Sequence, residues 1–156
     1  MTNKKLDEID FEILRILQKD ARQSYRTIRD ATGISIGTIH NRISKLKEEG
    51  IIEGFILKVN DFNLGYRLTF MINIEIDGKY AETVLTQLSQ MTEICAIFLK
   101  TGKQSAELIC KFKEVEDANK FILSLNINKN ILNVDSHMVL REYKNMPNIQ
   151  IPLVIP

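Results

Sequence analysis

Between residues 35 and 45 the chain reads Ser-Ile-Gly-Thr-Ile-His-Asn-Arg-Ile-Ser-Lys. At helical spacing Thr38, Asn41 and Lys45 form one polar stripe, with Arg42 on its flank. Asparagine can pair bidentately with an adenine edge, and threonine can meet a thymine methyl or a phosphate. Arg42 has the reach for guanine or phosphate, and Lys45 is long enough mainly for phosphate. Ser35 can cap a helix and also touch a phosphate, His40 suits a groove or phosphate contact, and Arg26 suits phosphate. No nucleophile triad, paired catalytic acid, phosphate-cradling glycine loop or nucleotide fingerprint accompanies them. The only histidines, His40 and His137, and the only cysteines, Cys95 and Cys110, do not make a metal-ligand set, and no cofactor motif is present.

Charge is distributed to match. The chain of 156 residues has a net charge of +1. Residues 21–47 nevertheless hold six cations against Asp30 alone, a local +5 that leaves −4 for the remainder. A basic segment on an acidic protein is a localised electrostatic footprint, the kind a nucleic acid would meet. No apolar run approaches a membrane span and the polar start is not a signal peptide, so a cytoplasmic location is expected. Cys95 and Cys110 sit inside apolar runs and read as buried free thiols in a reducing compartment.

Three helices must position the polar stripe. Asp7 can cap the first, whose Leu6, Ile9, Ile13 and Leu17 share a face; Ser24 and Ser35 can cap the second and third. Only Gly33 and Ile34 separate the last two helices, which forces a steep helix-turn-helix crossing. Residues 51–60 read as two short β segments about Gly54, a small wing. Beyond Asp61 the period changes to two: Leu68, Phe70, Ile72, Ile74 and Ile76 alternate with polar or smaller neighbours. Strand, helix, strand, strand, helix, strand follows, a ferredoxin-like βαββαβ order in which one sheet face carries both helices. The other face needs a cover, and a second copy of the chain is the simplest one. The fold class is therefore α+β. A winged helix-turn-helix over residues 1–54 is followed by a linker over 55–66, the βαββαβ domain over 67–143 and an extended tail over 144–156. The tail's Ile149, Ile151, Leu153 and Val154 are oily enough to be expected on a neighbouring surface.

Residues 6–22 and 33–55, followed by this βαββαβ order, resemble the Lrp/AsnC family of feast/famine transcriptional regulators. The resemblance runs from about Leu6 to Tyr143. It is carried by Leu6-Asp7 opening the first helix, by Ala21-Arg22 and by Ser35 opening the third. Arg42, Leu46, Gly50, Ile51 and Ile52 fall on the family's "R…L…GII" pattern. The resemblance implies a DNA-binding regulator, not an enzyme, that dimerises through its sheets and assembles further into tetramers or octamers. It also implies a small, amino-acid-like effector bound between dimers at the turn joining the two middle strands, here Thr101, Gly102, Gln104 and Ser105, with Ser136 completing the pocket from the last strand (a RAM-type sensing domain). Two positions depart from the pattern. Arg29 stands where alanine is usual, and its stem can pack while the guanidinium turns outward. Ser105 stands where the family commonly has an aspartate, and it lacks the charge to pair with an ammonium. Two other functions share the fold. A sirohaem decarboxylase is opposed by the basic third helix and the scarcity of histidine. The second is an effector-sensing partner protein with no DNA site of its own.

Overall fold

Each of the first three helices begins where a side chain can satisfy its orphan amides. In the computed structural model, which describes residues 6–103, 105–145 and 148–151, α1 spans Glu8–Lys19, α2 Tyr25–Thr32 and α3 Ile36–Glu48. Asp7 Oδ1 accepts from the Asp10 amide at 2.9 Å and Asp10 Oδ2 accepts from the Asp7 amide at 3.2 Å, a reciprocal capping box on α1. Ser24 and Ser35 cap α2 and α3 by matching geometry: each Oγ accepts from the amide three residues on at 3.1 Å and lies 2.9 Å from that threonine's hydroxyl. The sequence repeats as it does so, Ser24-x-x-Thr27-Ile28 and Ser35-x-x-Thr38-Ile39, and both isoleucines are fully buried. Gly33 stops α2 at φ +73, a left-handed conformation that costs a glycine little, and its amide donates back to the Arg29 carbonyl at 2.7 Å. Ile13 and Leu17 of α1, Ile28 of α2 and Ile39 and Ile43 of α3 close the core between the three helices.

The expected wing is not formed as strands. Residues 51–60 are extended and have no ladder partner among the described residues, and Ile56 and Leu57 are 77% and 84% exposed. An isolated two-stranded hairpin is marginal without a third strand or a covering face. Lys47 instead lies over the Phe55 ring at 4.9 Å. The segment expected as a linker is ordered at its far end: residues 60–65 wind into a turn in which the Tyr66 amide donates to the Asp61 carbonyl at 2.9 Å. Asp61 pairs with Lys111, and Lys113 lies over the Tyr66 ring at 5.1 Å.

The chain divides into two compact units, residues 1–58 with 145–156, and residues 59–144. The second unit contains β1 (Leu68–Ile76), α4 (Ala81–Leu88), β2 (Ile94–Leu99), β3 (Ala106–Phe112), α5 (Val115–Ile127) and β4 (Ile131–Met138). The sheet is antiparallel throughout, in the order β2-β3-β1-β4. Ile72, Ile74 and Ile76 share a face with Leu108, Cys110 and Phe112, and against it pack Val84 and Leu88 of α4 and Ala118, Phe121 and Leu125 of α5. Truncating one of the isoleucine, leucine or phenylalanine side chains to alanine should cost about 2–5 kcal/mol. Of the alternating residues of β1, Ile72, Ile74 and Ile76 are buried and Leu68 and Phe70 are partly buried against the same core.

The opposite face is mixed. One cross-strand row runs Phe98, Glu107, Asn73, Asp135, and the next Ala96, Ile109, Met71, His137. Lys100 reaches onto it, donating to Asn73 and to Glu107 Oε2 at 3.1 Å. His137 pairs with Asp135 at 3.1 Å.

Cys110 is buried in β3 but Cys95 is exposed, against the expectation that both thiols are buried; β2 changes register between Ile94 and Ala96 and leaves Cys95 outside the ladder. Two tail residues are held to α1 by their backbone, but the Ile149 side chain, expected on a neighbouring surface, is 83% exposed. Gln18 of α1 donates from Nε2 to the Ile149 carbonyl at 2.7 Å and accepts from the Ile151 amide at 2.9 Å. Leu153 and Val154 are outside the described residues.

Candidate nucleic-acid interface

The aliphatic edge of α3 fixes which side chains remain outside. With Ile39, Ile43 and Leu46 buried, Thr38, Asn41 and Lys45 fall on the exposed side, as the spacing requires. These three line a depression of about 470 Å³ together with Leu6, Asp7, Asp10, Arg42, Leu46 and Glu49. Ser35 opens the same helix. Its hydroxyl takes the Thr38 amide, while the two amides before Thr38 have no place in the helical ladder and belong to the positive end of the α3 dipole. Such a helix start is suited to an anion.

Other expected contacts lie around this stripe. His40 is exposed beside α2, its ring edge-on to Tyr25 at 6.0 Å, and its Nδ1 is 3.5 Å from Asn41 Oδ1. Arg26 is exposed in the first turn of α2. Arg29, the residue in place of the usual alanine, does turn outward and pairs with Asp30 at 2.7 Å.

Arg42 is placed differently from its expected role. Its Nη1 donates to Asp7 Oδ1 at 2.7 Å, Asp7 Oδ2 at 2.7 Å and Asp10 Oδ1 at 2.8 Å. The half-buried guanidinium is thus tied across to the nearest carboxylates of α1. The effect is reciprocal. The Arg42 hydrogen bond, with the Asp10 amide second, holds the Asp7 carboxyl below its ordinary pKa of 3.8, and the two aspartates raise that of Arg42. Asp7 and Asp10 line the same depression and are not among the residues singled out from the sequence as contacts. Their spacing was legible only as a cap, and the cation that completes the group lies 35 residues away.

The candidate effector residues do not converge within one chain. The β2–β3 turn holds Thr101 and Gly102 exposed, with Gly102 at φ +107. The Lys100 amide closes the turn by donating to the Ser105 carbonyl at 2.7 Å. Ser105 Oγ accepts the Ile76 amide at 3.2 Å, so the hydroxyl already fastens the turn to the end of β1. Gln104 lies outside the described residues. Ser136 is exposed on β4, opposite Ile72. Two strand spacings alone separate it from the turn by about 10 Å. Among the described residues no group of three histidines, cysteines or acids could hold a metal, and no helix is long and apolar enough to cross a membrane.

A helix-turn-helix with an exposed polar reading face, followed by a βαββαβ sheet, defines a two-part DNA-binding regulator. Family models agree part by part. A winged helix-turn-helix DNA-binding model matches residues 6–53, and an Lrp/AsnC ligand-binding domain model matches residues 69–149. An uncharacterised HTH-type transcriptional regulator of Pyrococcus abyssi is 37% identical over 139 residues, covering 89% of this chain and 95% of that protein. The HTH-type transcriptional regulator Ptr1 of Methanocaldococcus jannaschii is 39% identical over 117 residues, 75% of this chain and 79% of its own. Among solved structures, Escherichia coli AsnC superposes with a TM-score of 0.86 at 26% identity, covering 94% of this chain and 99% of that one. A Neisseria meningitidis transcriptional regulator, solved as its L-Met complex, gives 0.88 at 21% identity over 93% and 96%, a likeness of fold. The chain belongs to the Lrp/AsnC family of HTH-type transcriptional regulators.

Proposed function

We propose that α3 reads duplex DNA through Thr38 and Asn41, anchored on phosphates by Lys45, Arg26, His40 and the Ser35 end of the helix. The observation that carries this is the exposed polar stripe lining one depression, backed by a fully buried isoleucine edge. Arg42 is left out of the contact set because the two aspartates hold it. The second unit dimerises through the sheet face opposite α4 and α5, and dimers assemble further into tetramers or octamers. Such assembly would bring the turn at 101–105 of one copy toward Ser136 of another, which a single chain does not do. An effector wedged there would change DNA affinity only through its differential affinity for two assemblies. With Ser105 in place of a carboxylate and Lys103 beside it, the turn favours an effector's carboxylate over its ammonium. The relatives are described as HTH-type transcriptional regulators, which supports a regulator rather than an enzyme; a duplex partner would put it in the cytoplasm.

The test is selection of bound fragments from genomic DNA by the purified chain, with and without an amino-acid pool. Titrations of the selected duplex over a salt series follow. About five phosphate contacts per subunit, each contributing roughly −0.9, give a slope of affinity on salt near −9 per dimer. A chain that bound no duplex at low ionic strength would end this reading.

A further inference from the structure

Asp7, Asp10 and Arg42 line the same depression as Thr38, Asn41 and Lys45. A surface meant for a polyanion therefore holds Asp7 and Asp10, as well as Glu49 further along α3, beside its polar stripe. Both aspartates have structural duties: each accepts a backbone amide at the start of α1. Neither duty removes their charge. One guanidinium nitrogen, donating to three of their four oxygens at 2.7–2.8 Å, is what covers it. The Arg42 side chain is 26% exposed and that of Asp10 17%, while Asp7 is 52% exposed, so the group is a seam between α1 and α3 that is half-buried at Asp10 and open to solvent at Asp7. The seam joins the first turn of α1 to the middle of α3, where the reading residues sit.

We infer that Arg42 is a positioning residue for DNA binding: it fixes α3 against the start of α1, masks the Asp7–Asp10 charge from the duplex, and makes no DNA contact of its own. This rests on α3 being the reading helix. The consequence is specific. Loss of Arg42 exposes two carboxylates to phosphates, and loss of the carboxylates removes the need for Arg42.

The experiment uses the full chain and a duplex selected by the wild-type protein, titrated over a salt series. The variants are Arg42→Met, Asp7→Asn with Asp10→Asn, and the triple combination, each checked by thermal unfolding. Asparagine caps a helix as well as aspartate does, so α1 keeps its start. Arg42→Met should bind about tenfold or more weakly, most of all at low salt, so that its salt slope is shallower than wild type. The triple variant should recover to within about threefold of wild type at the wild-type slope. A slope lowered by about 0.9 per subunit in the triple variant would show that Arg42 neutralises a phosphate, and would overturn the inference. Should Arg42→Met fail to fold, the triple variant, which leaves no unpaired charge, decides alone. A wild-type chain that bound no duplex would remove the DNA reading itself and this role with it, an outcome distinct from a lowered slope.

Discussion

Ser35 offers a way to separate holding α3 from presenting it. Its Oγ accepts the Thr38 amide at 3.1 Å, and Ser24 does the same for Thr27 at 3.1 Å. Both serines are exposed. Replacing either by alanine should therefore cost the same, about 1 kcal/mol. For a unit of this size that is a fall in melting temperature of about 4–8 °C. Ser35→Asp is the informative change. Aspartate is an equally good cap, and its charge at the start of α3 adds about 0.3–1 kcal/mol of favourable dipole interaction. Stability should match or exceed wild type. If the same helix start faces a phosphate, however, the new carboxylate meets a like charge. At about 4 Å that repulsion is about 1 kcal/mol in water and about 4 kcal/mol at an effective dielectric of 20. Affinity for duplex should then drop between about fivefold and several hundredfold, more at low salt. Thermal unfolding and fluorescence titration of a labelled duplex measure the two effects independently. A Ser35→Asp protein that melts like wild type and binds DNA equally well would show that the α3 start does not meet the backbone. A Ser35→Ala protein as stable as wild type would refute the capping argument itself.

Further outcomes follow from the same geometry. Asn41→Ala should relax preference at one base position at a cost of about 1–3 kcal/mol, whereas Lys45→Ala should weaken all sequences alike and flatten the salt slope by about 0.9 per subunit; competition binding against single-base variants of the site tells them apart. A thiol reagent should label exposed Cys95 in the native protein and buried Cys110 only after unfolding, as mass spectrometry of digested protein would show. Burial, with Cys95 and Glu93 adding to it, pushes the Cys110 thiol up to about 12 from an ordinary 9.0. The folded state therefore keeps a proton that the unfolded state releases, and stability should decline as pH rises from about 9 toward 12. Gln18→Ala removes both hydrogen bonds to the tail, each worth about 1 kcal/mol at most on an exposed surface, so protease cleavage after Lys144 should become several-fold faster with no loss of the helix-turn-helix core.

Different parts of the chain were legible for different reasons. The strands could be read because burial alternates from Met71 to Ile76 and from Ala106 to Phe112, and one buried face demands that pattern. The caps could be read because a serine three residues before a threonine satisfies its helix locally. Residues 51–60 misled for the converse reason. Ile51, Ile52, Phe55, Ile56 and Leu57 have strand composition, but β propensity measures fitness for a pleated, half-buried surface. With no such surface at hand in the chain, they form no ladder: Ile51, Phe55, Ile56 and Leu57 stay exposed, and Ile52 packs partly against the three-helix core. Cys95 misled similarly. It sits inside an apolar run, yet the register change beside it turns the thiol outward, and no feature of the run announces an irregularity that pairing across strands creates.

Arg42 exposes the limit of reading charge along a chain. On a helical wheel it lies about 40° from Thr38 and about 100° from Asn41, close enough to the reading stripe to be counted with it. Asp7, meanwhile, reads only as a cap, and Asp10 is given no role. That reading is incomplete, because two carboxylates offer about eight acceptor sites and a capping box uses two. The unused capacity was the available signal that a distant cation would be drawn in. Once it is, the local +5 of residues 21–47 overstates what a duplex would meet. Arg42 is cancelled from outside the segment and Arg29 is paired within it, leaving Arg22, Arg26, Lys45 and Lys47 to carry the positive field. A sum over residues states how many cations a segment owns, while the salt slope of binding counts how many it presents.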